Sequence, residues 1–103
     1  MISVHEIETG TGEVVREGDL VEVGYRGTFP DGRLFDEGAF EFTLGAGMVI
    51  GGFDLGVLGM RVGGQRKITV PPELGYGERG APPTIPPHAT LVFEVTVLGL
   101  RRN

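Results

Sequence analysis

Apolar side chains recur at every second position along most of this chain, and one segment alone breaks that rhythm. Val21, Val23 and Tyr25 share one parity, with Glu22, Gly24 and Arg26 on the other. Phe40, Phe42 and Leu44 alternate with Glu41 and Thr43, and Ile68 and Val70 alternate within residues 66–70. Leu91, Phe93, Val95 and Val97 alternate in the last run. A period of two is the mark of a strand with one buried face. Residues 2–9 alternate more loosely and fit an edge strand, and Leu34-Phe35-Asp36 fits a short one. Turn residues punctuate the runs: Thr9-Gly10-Thr11-Gly12, Glu17-Gly18-Asp19, Asp31-Gly32 at a hairpin position, Val62-Gly63-Gly64 and Pro71-Pro72.

Between residues 49 and 60 the spacing changes. Val49, Phe53, Val57 and Met60 recur at helical intervals, with Leu58 beside them. Gly51, Gly52, Gly56 and Gly59 interrupt this stretch, and each interior glycine costs a helix roughly 1 kcal/mol against Ala. Such a helix has to be held by packing against a sheet. The pattern predicts an α+β fold, a curved antiparallel sheet whose apolar face wraps one short helix. A length of 103 residues fits a single domain, 1–103, with one core. The 19 Gly and 7 Pro are spread among apolar residues and read as turns rather than disorder.

Composition removes several classes of function. No apolar run approaches the ~20 residues that span a bilayer, and Met1-Ile2-Ser3-Val4-His5-Glu6 lacks the basic start and apolar block of a signal peptide. A net charge of -5 with scattered charges argues against nucleic acid and anionic lipid as partners. With no cysteine there is no disulfide, thiolate nucleophile or Cys-ligated metal. His5 and His88 lie far apart without carboxylates at ligand spacing, so no metal is expected, and His88 is read as fixing its loop through a hydrogen bond. Ser3 is the only serine, which argues against a Ser-His-Asp triad. Asp36 and Glu37 are neighbours on a strand and would face opposite ways, unlike a glycosidase pair. The glycines from Gly51 to Gly64 lack the Gly-Lys-Ser/Thr ending of a phosphate loop. What remains is an aromatic set of 6 Phe and 2 Tyr. Tyr25 and Tyr76 carry hydroxyls that need partners when buried, and Asp36 is placed to reach one of them. Polar groups among aromatics suit an orienting pocket, although most of these rings also serve a core.

The chain resembles FKBP-type prolyl isomerase domains from about Val4 to Leu100. The resemblance is carried by Val23-Gly24-Tyr25-Arg26-Gly27, Asp31-Gly32 with Phe35-Asp36, Phe40-Glu41-Phe42, Val49-Ile50, and Ile85-Pro86-Pro87-His88-Ala89 leading into Thr90-Leu91-Val92-Phe93-Glu94-Val95. It implies a sheet of five to six antiparallel strands around one helix. It also implies cis/trans isomerisation of X-Pro peptide bonds in an apolar aromatic pocket, without a cofactor. Tyr25, Asp36, Ile50 and Tyr76 are the implied catalytic set, and Phe35, Phe40, Val49, Phe53, Ile85 and Phe93 the implied substrate-binding set. Phe53 would be the floor, where many members have Trp. The implied partners are proline-containing polypeptides and macrolides such as rapamycin, and a cytoplasmic monomer is expected. Two departures stand out. Only Glu37-Gly38-Ala39 separates Asp36 from Phe40, so the arginine that pairs with the aspartate in longer members has no counterpart. Asp36 is left to meet Arg33, Arg79 or only Tyr25. The loop Ala81-Pro82-Pro83-Thr84 is also atypical, which leaves substrate preference open. The alternative is a proline-peptide binding module with weak catalysis.

Overall fold

The computed structural model describes residues 1–102. Five strands and one helix follow in the order β1 (Ser3–Glu8), β2 (Leu20–Thr28), β3 (Leu34–Thr43), α1 (Gly51–Val57), β4 (Gln65–Val70) and β5 (Leu91–Arg101). A 3-10 turn at Pro72–Leu74 follows β4. The strands form one antiparallel sheet in the order β1-β4-β5-β2-β3, so the loosely alternating first run lies at an edge. The inward residues of the alternating runs make the core: Val21, Val23, Phe42, Ile68, Val70, Leu91, Val95 and Val97 are all buried, together with Val57 and Met60 from the helical region.

Two elements differ from the sequence reading. The short run at 34–36 and the run at 40–44 are one strand, because Glu37, Gly38 and Ala39 continue the ladder opposite Arg26, Tyr25 and Gly24. Backbone pairing does not need apolar side chains, so this bridge left no periodic signal. The helix is also shorter than 49–60. Ile50 is extended (ψ 150) and caps its start, and Leu58 (ψ 128) ends it.

The glycines that weaken α1 are what seat it. A Cβ at Gly52 would lie 2.4 Å from Val70 Cγ1, and one at Gly56 would lie 2.5 Å from Ile68 Cδ1. With neither present, the helix backbone rests on β4. Its C-terminal carbonyls find a donor: Arg66 Nη1 donates to the carbonyls of Gly56 and Leu58 at 2.8 and 3.0 Å, while its Nε binds Glu6 at 2.7 Å. At the far end of the sheet Arg102 ties the last strand to the 13–19 segment. It binds Asp19 Oδ1 at 2.9 Å, the Val14 carbonyl at 2.7 Å, and Glu13.

Candidate functional site

A cleft of about 200 Å³ opens between the sheet and the α1 region, lined by Tyr25, Phe35, Asp36, Phe40, Met48, Val49, Ile50, Phe53, Tyr76 and Phe93. Nine of the ten residues expected at a pocket therefore meet in one place. They come from β2 (Tyr25), β3 (Phe35, Asp36, Phe40), the segment before α1 (Val49, Ile50), α1 itself (Phe53), the loop after the 3-10 turn (Tyr76) and β5 (Phe93). A larger concavity of about 350 Å³ lies over Leu20, Glu22, Glu41, Gly99, Leu100 and Arg101, but no aromatic ring lines it.

Phe53 is the floor. Only 3% of it is exposed. Its ring lies 5.3 Å from Phe93, 5.6 Å from Phe40 and Phe42, and 6.3 Å from Tyr25, mostly edge-to-face. In the edge-to-face pairs the positive edge of one ring meets the negative face of the other, which fixes the walls by packing. The helix aims this residue because α1 lies flat on β4, with Phe53 between the two buried glycines.

One wall depends on an irregularity of β3. Strict alternation would send Phe35 and Asp36 to opposite faces. The register slips between Gly27 and Thr28: Gly27 pairs with Asp36 and Thr28 with Leu34, leaving Phe35 as the extra residue of a bulge. Asp36, Gly38, Phe40 and Phe42 then share the inward face opposite Gly27, Tyr25, Val23 and Val21. Phe35 turns inward as well, 5.7 Å from Phe93 and 5.1 Å from Phe29. Its ring occupies the space a side chain at 27 would take, since a Cβ there would be 2.6 Å from Phe35 Cζ. Gly27 is thus a determinant of the site that the sequence reading quoted within a motif without giving it a role.

The polar groups are few. The Tyr25 hydroxyl donates to Asp36 Oδ2 at 2.6 Å, a short charge-assisted bond. Partial burial pushes the Tyr25 hydroxyl up to about 12, with the bond to Asp36 and the charges of Asp36 and Tyr76 adding to it. The tyrosine therefore stays a donor throughout the physiological range. Of the three partners open to Asp36, the structure selects Tyr25. Arg33 binds Asp31 at 2.7 Å and lies 5.0 Å over the Phe29 ring. Arg79 forms no ion pair with Asp36 among the described residues.

The segment that brings Val49 and Ile50 to the cleft is pinned from α1. Asp54 accepts the amides of Gly45 at 2.9 Å and Gly47 at 3.3 Å, and Met48 Sδ accepts the Thr43 amide at 3.4 Å. The Ile50 carbonyl takes the amides of Phe53 and Asp54, whereas its own N–H meets no acceptor among the described residues. Tyr76 stands on a loop closed by Gly77 N–H on the Pro72 carbonyl and Gly80 N–H on the Tyr76 carbonyl, and 41% of it is exposed at the rim. Met48, 62% exposed, is a rim residue that the sequence reading missed, because it stands outside both periodic patterns.

Ile85 does not reach the cleft. It is 4% exposed and packs in the core. Its backbone pairs with Ala81 through bonds of 2.8 and 2.9 Å, so it closes the 81–85 loop from beneath instead of forming a rim. His88 secures the same region through its backbone, its N–H donating to the Gly77 carbonyl at 2.9 Å with φ at 57.

Residues 11–98 match the family of the FKBP-type peptidyl-prolyl cis-trans isomerase. Among curated relatives, the chain is 52% identical over 93 residues to peptidyl-prolyl cis-trans isomerase FKBP2 of Homo sapiens, covering 85% of this chain and 66% of that one. It is 45% identical over 102 residues to FK506-binding protein 4 of Rhizopus delemar, covering 95% of this chain and 27% of the other. The chain thus spans between about a quarter and two thirds of the length of these relatives. Among solved structures, AtFKBP13 superposes with a TM-score of 0.90 at 31% identity, covering 97% of this chain and 93% of that one. FkpA from Escherichia coli superposes with a TM-score of 0.87 at 38% identity, covering 98% of this chain and 48% of that one. Matched in sequence over most of its length and in fold almost throughout, the chain belongs to the FKBP-type peptidyl-prolyl cis-trans isomerase family.

Proposed function

We propose that this chain accelerates cis/trans isomerisation of the peptide bond preceding proline by holding the twisted amide in its aromatic cleft. The observation that carries the reading is the cleft itself: an apolar floor at Phe53 with a single hydrogen-bonded carboxylate, Asp36, on its wall. The chemistry needs no more than that. Rotation of an amide has a barrier of ~18–20 kcal/mol because it breaks conjugation. No bond to a heavy atom forms or breaks, so neither nucleophile nor metal is called for. The twisted amide has lost much of its charge separation, and an apolar cleft favours it over the planar, well-solvated ground state.

Phe53 receives the prolyl ring, with Tyr25, Phe35, Phe40 and Phe93 around it and Val49 above. The free Ile50 N–H and the Tyr76 hydroxyl hold peptide carbonyls on either side. Tyr25 fixes Asp36, whose charge lies beside the carbonyl of the rotating bond. The same cleft takes macrolides of the FK506 and rapamycin type, a reading supported by the name of the Rhizopus delemar relative.

The test is a protease-free assay of an X-Pro peptide by NMR exchange. We expect exchange much faster than the uncatalysed process, which takes tens to hundreds of seconds. A rate equal to buffer at micromolar protein would overturn the isomerase reading. Binding of the peptide without acceleration would leave a proline-peptide binding module in its place.

A further inference from the structure

We propose that Met48 is a methionine oxidation site, and that its sulfoxide weakens the hold of the cleft on a peptide. The co-reactant is a peroxide, either hydrogen peroxide or an organic hydroperoxide. The effect on peptide rests on the isomerase-family reading of the cleft, whereas the oxidation itself does not.

This chain offers an oxidant few soft atoms. It has no cysteine and no tryptophan, so the thioethers of its three methionines are the first groups to react. The three stand in different surroundings. Met60 is 1% exposed and packs in the core. Met1 is exposed at the terminus, outside the cleft lining. Met48 is 62% exposed and lines the cleft beside Val49 and Ile50. Its side chain also has a fixed place, because Sδ accepts the Thr43 amide at 3.4 Å. Asp54 holds the turn that carries it through the amides of Gly45 and Gly47. Oxidation and binding therefore meet at this open thioether on the rim of an apolar cleft.

A lone pair of Sδ attacks one peroxide oxygen, the O–O bond breaks and an S–O bond forms. Sulfur gives up two electrons and the peroxide takes them. The departing oxygen leaves as water or an alcohol, with the proton that the transferred oxygen carried. The product is a sulfoxide, polar and strongly accepting where the thioether accepted weakly. Its new oxygen draws water to the rim. A peptide that covers the rim strips that water away, a desolvation cost that the thioether does not impose. If the oxygen takes over the Thr43 amide instead, the side chain has to leave its place on the rim.

The experiment treats the folded chain with hydrogen peroxide, removes the peroxide with catalase and maps the oxidised residues by mass spectrometry. Met48 should oxidise about tenfold or more faster than Met60, which reacts only when the core opens. The Thr43 amide resonance should move as Met48 reacts, since it donates to the reacting sulfur. Affinity for an X-Pro peptide, read by NMR titration, should fall about three- to tenfold. Methionine sulfoxide reductases should restore it. Met48→Leu keeps Met1 and Met60 but has no thioether at the rim. Its affinity after peroxide should equal that of its own untreated sample. Met48→Gln puts a polar group of similar length on the rim and should bind about as weakly as the oxidised wild type, without any peroxide. Oxidation of Met48 no faster than that of Met60 would overturn the site. Full oxidation with affinity within twofold of the untreated chain would overturn its effect on binding. An equal loss in Met48→Leu would overturn it as well, by assigning the loss to another residue. Failure of the untreated chain to bind any X-Pro peptide would overturn the reading of the cleft, and the mass map would still decide the oxidation site.

Discussion

Gly27→Ala probes the bulge that builds the site. The backbone at 27 is ordinary strand, so an added methyl meets no dihedral penalty and the whole effect comes from space. The new Cβ would sit 2.6 Å from Phe35 Cζ and 2.9 Å from its Cε1, whereas ordinary contact begins at 3.4 Å. The ring has to withdraw by 3.4 − 2.6, about 0.8 Å. It cannot move toward Phe93, whose ring centroid is 5.7 Å away and whose side chain is buried, so it moves outward into the cleft. Overpacking of this kind costs about 1–3 kcal/mol, and a half-exposed ring that can yield puts the cost near the lower end. The loss of edge-to-face contact with Phe93 lies within that figure, since such a pair is worth about 0.5–1.5 kcal/mol. Denaturant unfolding should show a destabilisation of about 1–2 kcal/mol. The exchange assay should show kcat/KM down by roughly tenfold, because displacing a wall by less than 1 Å misplaces the bound proline. Phe35→Leu in the same chain removes the colliding Cζ. The double variant should therefore be more stable than the sum of the single effects by about 1 kcal/mol. A Gly27→Ala protein with wild-type stability and turnover, or a strictly additive double variant, would refute the idea that glycine at 27 exists to admit Phe35.

Gly56→Ala should destabilise by about 1–2 kcal/mol despite the helix propensity of alanine, because its Cβ would lie 2.5 Å from the fully buried Ile68. Urea unfolding decides it, and any gain in stability would contradict the close seating of α1 on β4. Asp54→Ala should cost about 0.5–1.5 kcal/mol and speed amide exchange at Gly45 and Gly47, whose N–H groups it leaves without an acceptor. Unchanged exchange at those two amides would show that Asp54 does not hold the segment leading to Val49 and Ile50. Asp19 gives a pH signature. Burial pushes its carboxyl up, but the Arg16 amide and the Arg102 guanidinium outweigh burial and hold it below 3.8. A depressed folded value means the contribution is whole above pH 3.8 and disappears as pH falls through the folded value. The stability gap between wild type and Asp19→Asn should therefore close below that pH, and a gap independent of pH would discount the Arg102 strap.

The alternating runs gave away the sheet because burial of one face is the same physical event as a period of two. Val21, Val23, Phe42, Ile68, Val70, Leu91, Val95 and Val97 were legible as core for that reason, and all are buried. The middle of β3 was not legible. Glu37, Gly38 and Ala39 pair with β2 through their backbone and bury no apolar side chain, so nothing in their side chains signals a strand. The ends of α1 were misjudged for a related reason. Val49 and Met60 keep the helical spacing because they pack against the same core, although neither is helical.

Candidate site residues divide along the same line. Phe40, Phe53 and Phe93 stand on regular elements at apolar positions, so they read as core, and the structure makes them both core and cleft wall. Phe35, Met48, Ile50 and Tyr76 come from a bulge, a turn, a helix cap and a loop, and no periodicity reaches them. Resemblance supplied all of these but Met48, without saying why the chain turns where it does. Ile85 shows the limit from the other side: an apolar residue in an irregular loop reads equally well as rim or as core, and only the Ala81 bridge decides that it faces inward. A sheet that alternated perfectly through β3 would have no cleft wall at Phe35 and Asp36 together. The proposed capacity to hold a proline therefore rests on the places where the fold departs from its own period. Glycine at 27, which carries no side chain at all, is the residue that makes one of those departures fit.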